Sequence, residues 1–199
     1  MLEVEDLACV RGGQPVFAGL SFALEPGEML LLRGPNGSGK SSLLRLLAGL
    51  LRPAAGAIRW DGVEATRDPA AYAAALHYVG HADAVKPRLT VGENLAFAAA
   101  LDGAALSADA LAAFALESLA DQPGRFLSAG QRRRVALARV IAAPRPLWLL
   151  DEPEVGLDTA NRRRLTGLIE GHRADGGVVV LASHAESVPA GMHVLDFGA

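Results

Sequence analysis

The chain has 199 residues, 51% of them hydrophobic and 21% charged, with only two Trp and two Tyr. That length suits one well-packed domain, and the balance excludes a disordered chain in favour of a core built from Leu, Val and Ala. The net charge of −3 comes with arginines in short clusters, Arg132-Arg133-Arg134 and Arg162-Arg163-Arg164, rather than a basic face, which argues against nucleic acid as a partner.

In chain order, segments 2–9, 16–24 and 57–60 are apolar or alternating between Gly and Pro signals and predict a small antiparallel sheet. The single Cys9 has no disulfide partner in the chain and reads as a small buried hydrophobe. Glu3, Glu5 and Asp6 stand where a secretory leader needs positive charge, so no leader is expected. No stretch reaches the ~20 apolar residues needed to span a bilayer, so membrane association is expected through other subunits. Compact apolar runs at 29–33, 147–150, 178–182 and 193–197, separated by helical patterns, predict buried parallel strands and an α/β core. The Ala clusters at 70–76 and 96–101 read as helix formers, and 90–119 as a helical insertion. Both arginine triplets fall in helical patterns and read as solvated faces. The expected organisation is one domain over 1–199 with a helical subdomain at roughly 82–143.

Gly34-Pro35-Asn36-Gly37-Ser38-Gly39-Lys40-Ser41 fits G-x-x-x-x-G-K-[ST], follows the predicted strand at 29–33 and opens a helix predicted through 43–51. Glycines are needed because backbone N–H groups must turn inward and approach phosphate oxygens closely. The following helix adds its positive N-terminal end. Lys40 is expected to reach the β- and γ-phosphates of ATP, Ser41 to ligate Mg²⁺ and Ser42 to help hold the α-phosphate side. The apolar strand at 147–150 ends in Asp151-Glu152. Successive residues of extended chain point oppositely, so Asp151 is assigned to the Mg²⁺ hydration shell and Glu152 to the attacking water.

Upstream of that strand, Leu127-Ser128-Ala129-Gly130-Gln131 opens a helix predicted over 132–142 and resembles the signature L-S-G-G-Q of ABC-type ATPases. Asp151-Glu152-Pro153, Gly156-Leu157-Asp158 and His184 follow in the family's order, so the resemblance covers nearly the whole chain. It implies the α/β P-loop NTPase fold of the ABC ATPase type, with a mainly parallel sheet core, a small antiparallel β subdomain and a helical subdomain. It also implies a head-to-tail dimer of two copies, with ATP between one copy's phosphate loop and the other's Ser128, Gly130 and Gln131. Helix-terminal donors at the signature suit that task. By the same resemblance Asp158 lies in the loop between the two sites and His184 contacts the γ-phosphate. His81 stands where the coupling-loop glutamine is usual, and Arg11 where an aromatic residue stacks on adenine. A neutral imidazole can accept a hydrogen bond from metal-bound water, and a guanidinium plane can stack on a base.

Ala129, the Gly80-His81 pair and the run Lys86-Pro87-Arg88-Leu89-Thr90-Val91-Gly92-Glu93-Asn94-Leu95 resemble the CcmA family, ATPases of the cytochrome c biogenesis haem exporter. That resemblance implies a peripheral protein on the cytoplasmic face of the inner membrane. Its partners would be CcmB-like and CcmC-like membrane subunits, and its hydrolysis would be linked to release of a haem-loaded chaperone. The histidines carry no C-x-x-C-H attachment signal, so no haem ligand is expected in this chain. Competing classes are an ABC subunit for another solute and a soluble ABC-type switch. The soluble class usually carries two cassettes or a long coiled-coil insertion. A P-loop kinase or GTPase is opposed by the signature and Glu152.

Overall fold

In the computed structural model the described residues are 1–101, 103, 105–183 and 192–198. They form two compact units, Met1–Gly80 with Pro146–Glu152 and His172–Ala199, and His81–Arg145 with Pro153–Gly171. The chain runs β1 (Leu2–Arg11), β2 (Gln14–Leu24), β3 (Met29–Arg33), α1 (Lys40–Leu47), β4 (Ala55–Trp60), β5 (Val63–Glu64), α2 (Pro69–Ala74) and β6 (Leu76–Val79). It continues through α3 (Val91–Leu101), α4 (Ala108–Ala112), α5 (Ala129–Ala142), β7 (Leu147–Asp151), α6 (Thr159–Ala174), β8 (Val178–Ala182) and β9 (Met192–Asp196).

The first unit holds both sheets. One is antiparallel in the order β2-β1-β4-β5, and the other is parallel in the order β6-β7-β8-β3-β9. Strands β3, β7 and β8 are apolar and almost wholly buried, as central parallel strands covered on both faces must be. Leu43, Leu44, Leu46 and Leu47 of α1 join Leu30, Leu32, Leu147, Leu149 and Val180 in one core, with Cys9 buried in it. Adjacency of β7, β8 and β3 brings their C-terminal ends side by side, where open parallel sheets bind ligands.

Several boundaries depart from the pattern reading for local reasons. Helix α1 stops at Leu47 because Gly49, at φ +70°, closes it: Gly49 N–H donates to Leu46 and Leu50 N–H to Arg45. The cluster at 70–76 splits between α2, capped by Asp68 accepting from Ala71 N–H at 3.0 Å, and the unpredicted edge strand β6. A short helix followed immediately by a strand blurs both periods. The hairpin into β5 turns on Asp61 and Gly62 at φ +49° and +76°, a turn that carries no strong apolar signal.

In the second unit α3 and α4 pack on α5. A capping box opens α3: Thr90 N–H donates to Glu93 Oε2 at 2.8 Å, and Glu93 N–H to Thr90 Oγ1 at 3.1 Å. Asn94 is buried because it staples the preceding loop, accepting from Lys86 N–H and donating to the carbonyls of Lys86, Leu89 and Thr90. The Arg132-Arg133-Arg134 triplet is not a uniformly solvated face. Arg133 is only 5% exposed and pairs with Asp83 at 3.2 Å, because a buried guanidinium needs a carboxylate and carbonyls to replace water. Arg162, Arg163 and Arg164 do lie exposed on α6. Among the described residues no helix is long and apolar enough to cross a membrane.

At the end of α6, the His172 imidazole stacks on Trp148 with ring centroids 3.9 Å apart and 7° between planes. Gly177 permits this, since a Cβ there would lie 2.2 Å from the ring. Burial pushes the His172 pKa below its usual 6.5, so the unfolded chain binds the extra proton first as pH falls. This contribution is therefore intact above about pH 6.5 and is lost as pH drops below it. Thermal unfolding at pH 7.5 and pH 5.5 should show a lower midpoint in acid, and His172→Phe should shrink that difference.

Candidate functional site

The phosphate loop joins β3 to α1. Gly34, Gly37 and Gly39 sit at φ +131°, +82° and +117°, backbone conformations that glycine adopts without the penalty of a Cβ. Close packing reinforces the need for glycine: a Cβ at Gly39 would stand 2.8 Å from Val16 Cγ1, and one at Gly34 would stand 2.9 Å from Ser38 Oγ. Lys40, 5% exposed, donates through Nζ to the carbonyls of Gly34 at 2.7 Å and Pro35 at 2.9 Å. Its ammonium thus bridges the start of the loop. Ser38 Oγ is buried there without a hydrogen-bond partner among the described residues. A buried hydroxyl costs about 1–3 kcal/mol when unsatisfied, and a ligand oxygen at the loop would satisfy it.

One turn of loop brings Ser41 beside the other half of the chemistry. Its hydroxyl donates to Asp151 Oδ1 at 3.1 Å, and Asp151, the last residue of β7, is 4% exposed. Two adjacent hard oxygens match what Mg²⁺ takes from a protein when phosphates and water complete its shell. Among the described residues no group of three or more His, Cys, Asp or Glu could hold a metal ion unaided. Ser41 Oγ and Asp151 Oδ1 supply only part of such a shell, so the pair fits a cation that takes its remaining oxygens from phosphate and water.

Glu152 is half-buried and differs from the expectation in its backbone. It lies at φ +48°, with its N–H donating to Ala182 at 2.9 Å, so a left-handed turn, not strand alternation, separates the two acids. A non-glycine residue there costs about 1–2 kcal/mol, and such outliers gather at functional sites.

The second unit carries the signature residues and Asp158. Ser128 caps α5 in a full capping box, its Oγ accepting from Gln131 N–H at 3.2 Å and its N–H donating to Gln131 Oε1 at 2.7 Å. A Cβ on Gly130 would come 2.8 Å from the Gly156 carbonyl, so the signature turn and the loop before α6 touch through backbone. Asp158 Oδ1 accepts from Asn161 N–H at 2.8 Å and Nδ2 at 2.9 Å. Those bonds, the backbone N–H first, hold its carboxyl below the usual carboxylate range. Ser128, Gly130, Gln131, Arg134, Asp158 and Asn161 line a hollow of about 220 Å³.

Of the remaining candidates, Arg11 is exposed at the β1–β2 hairpin opposite Gln14, and exposed His81 begins the second unit directly after Gly80. Ala129 is the first residue of α5, and Asn36 and Ser42 lie in or just past the phosphate loop. His184 lies outside the described residues. Pattern reading missed Val16 and Phe17, which flank Gly39, and Arg134 and Asn161, which line the signature hollow. No local signal marked the first two, because the register that pairs Cys9 with Phe17 is set by the sheet.

Residues 17–155 match the ABC transporter family. The chain belongs to that family. It is 59% identical over 193 residues to the cytochrome c biogenesis ATP-binding export protein CcmA of Rhodospirillum rubrum, covering 96% of this chain and 83% of that protein. With the protein of the same name from Paramagnetospirillum magneticum it shares 57% over 189 residues, 92% of this chain and 87% of the relative. Among solved structures, an ATP-binding subunit of an ABC transporter superposes with a TM-score of 0.84 at 29% identity, covering 92% of this chain and 79% of that one. A dimeric ATP-binding cassette in a post-hydrolysis state, bound to ADP and Pi, superposes with a TM-score of 0.81 at 25% identity, covering 93% and 88%.

The strained turn at Glu152 makes a stability prediction. Glu152→Gly should match the unaltered chain or exceed it by up to about 1 kcal/mol, whereas β-branched Glu152→Val should lose about 1–2 kcal/mol. Urea unfolding of the three proteins reads the order directly, and equal midpoints for Gly and Val would deny the strain.

Proposed function

We propose that this chain is the ATP-binding and ATP-hydrolysing subunit of an ABC transporter, and that the transporter is the haem exporter of cytochrome c biogenesis. The observation that carries the ATPase reading is the Ser41–Asp151 hydrogen bond at the foot of a glycine loop, with Glu152 the next residue. The names of the relatives from R. rubrum and P. magneticum, together with Ala129 and the Gly80-His81 pair, support the choice of transporter.

In this reading backbone N–H groups of the glycine loop and the N-terminal end of α1 hold the phosphates, and Lys40 exchanges its carbonyl partners for β- and γ-phosphate oxygens. Ser41 and Asp151 would hold Mg²⁺, which would supply neutralising charge to the phosphates. Ser42 steadies the α-phosphate side. Glu152 orients the attacking water and accepts its proton as the water oxygen bonds to the γ-phosphorus and the bond to the β-phosphate oxygen breaks, leaving ADP and phosphate. His184 contacts the γ-phosphate, and Arg11 stacks on the adenine.

The assembly is a pair of copies, consistent with the dimeric cassette bound to ADP and Pi. Ser128, Gly130 and Gln131 of one copy meet the γ-phosphate held by the other, and Asp158 lies in the loop passing between the two sites. The Ser128 cap is already bonded to its own helix, so it offers a built helix N-terminus rather than a loose loop. His81 is the coupling-loop residue. CcmB-like and CcmC-like membrane subunits place the pair peripherally at the cytoplasmic face of the inner membrane, with no role for nucleic acid. All 199 residues act as one nucleotide-binding domain.

Two measurements test this. Glu152→Gln should slow ATP hydrolysis by about 10²- to 10⁴-fold and spare ATP binding, whereas Lys40→Ala should weaken binding itself by at least about tenfold; near-normal turnover in Glu152→Gln would refute the assigned base. Purified from membranes, the chain should bring down CcmB-like permease subunits, and His81→Ala should reduce export more than ATP binding. Recovery with a permease for another solute would displace haem export, and recovery only with ribosomes or DNA would displace transport altogether.

A further inference from the structure

The C-terminal end of β9 runs along the phosphate loop. Phe197 N–H donates to the Arg33 carbonyl at 2.9 Å, extending the parallel ladder to the residue just before Gly34. A Cβ built on Gly34 would lie 3.0 Å from Phe197 Cβ and 3.3 Å from Gly198 N, and one on Gly39 would lie 3.4 Å from Phe197 Cε1. The residue therefore touches both ends of the loop, its stem at the entry and its ring at the exit. Phe17 meets the ring edge-on, with centroids 5.7 Å apart and planes at 65°, and Phe17 Cδ1 would stand 3.4 Å from the same Gly39 Cβ. Gly198 N–H donates to Asp196 Oδ1 at 2.7 Å and fixes the turn that seats Phe197.

A loop of glycines has the most backbone freedom to lose and no side chains with which to anchor itself. Lys40 ties down the carbonyls of Gly34 and Pro35, but apolar support at the two glycine ends must come from neighbouring strands. Holding the donors in place before the anion arrives raises affinity, because ordering the loop is no longer charged against binding.

We infer that Phe197, braced by Phe17, is a positioning residue that holds the phosphate loop in its binding shape. The inference rests on the nucleotide-site reading above. It predicts a loss shared by ATP and ADP, since both present β-phosphates to the loop, and a loss in affinity rather than in the chemical step. Titration of the full chain with a fluorescent ATP analogue, competed with ATP and ADP, reads the affinities, and steady-state hydrolysis reads KM and kcat. Phe197→Ala should raise Kd and KM about tenfold with kcat within about threefold, and Phe197→Leu, which keeps the apolar volume, should recover most of the affinity. Val194→Ala, at an exposed position of β9, should behave like the unaltered chain. Should Phe197→Ala fail to fold, Phe197→Leu and Phe17→Leu decide, each expected to raise Kd about threefold. Unchanged Kd in the folded Phe197 variants, or an equal loss in Val194→Ala, would overturn the positioning role while leaving the nucleotide site intact. Failure of the unaltered chain to bind the analogue would instead remove the nucleotide-site reading, and the positioning role with it.

Discussion

Backbone N–H groups can cradle a phosphate only when several consecutive residues turn them to one side, and L side chains resist the dihedrals that do so. The left-handed glycines between Arg33 and Lys40 accept that conformation, and much of the first unit is arranged around keeping it. Strand β3 delivers the chain to the loop from the middle of a buried parallel sheet, and α1 leaves it with Leu43, Leu44, Leu46 and Leu47 sunk in the core. Both ends of the loop are thus anchored in packed elements that tolerate little displacement.

The same sheet order supplies the acids. Because β7 lies one strand away from β3 across β8, Asp151 can reach the Ser41 hydroxyl, and Glu152 is turned out of the strand by a left-handed residue bonded to Ala182 of β8. The strain at Glu152 falls one residue after Asp151, and the Ser38 hydroxyl, buried in the phosphate loop, has no hydrogen-bond partner among the described residues. Local rules give way there in favour of a ligand, the usual sign that a position is kept for chemistry.

The helical unit solves a different problem with similar means. Its signature turn uses a self-contained capping box, a glycine at carbonyl contact with Gly156 and a carboxylate, Asp158, held ionised by backbone donors. It presents donors but has no glycine loop or lysine of its own in the hollow they line. A helix N-terminus with polar side chains around it complements a bound anion without being able to enclose one.

Strands β3 and β8, the phosphate loop and the acid pair were legible in residue order, because glycine spacing, lysine and buried apolar runs act locally and leave local marks. The signature helix was legible through the resemblance of residues 127–131 to L-S-G-G-Q, while the reciprocal capping by Ser128 and Gln131 came with the structure. Strand β6, the burial of Arg133 against Asp83, the stacking of His172 on Trp148 and the support of the loop by Phe17 and Phe197 were not. Each depends on a partner distant in the chain. The residues alone determined which backbone could bend around a phosphate and which oxygens stood ready beside it. Only the tertiary structure decided what holds that backbone still, because packing neighbours are chosen by sheet order and register, and no short stretch of sequence encodes those.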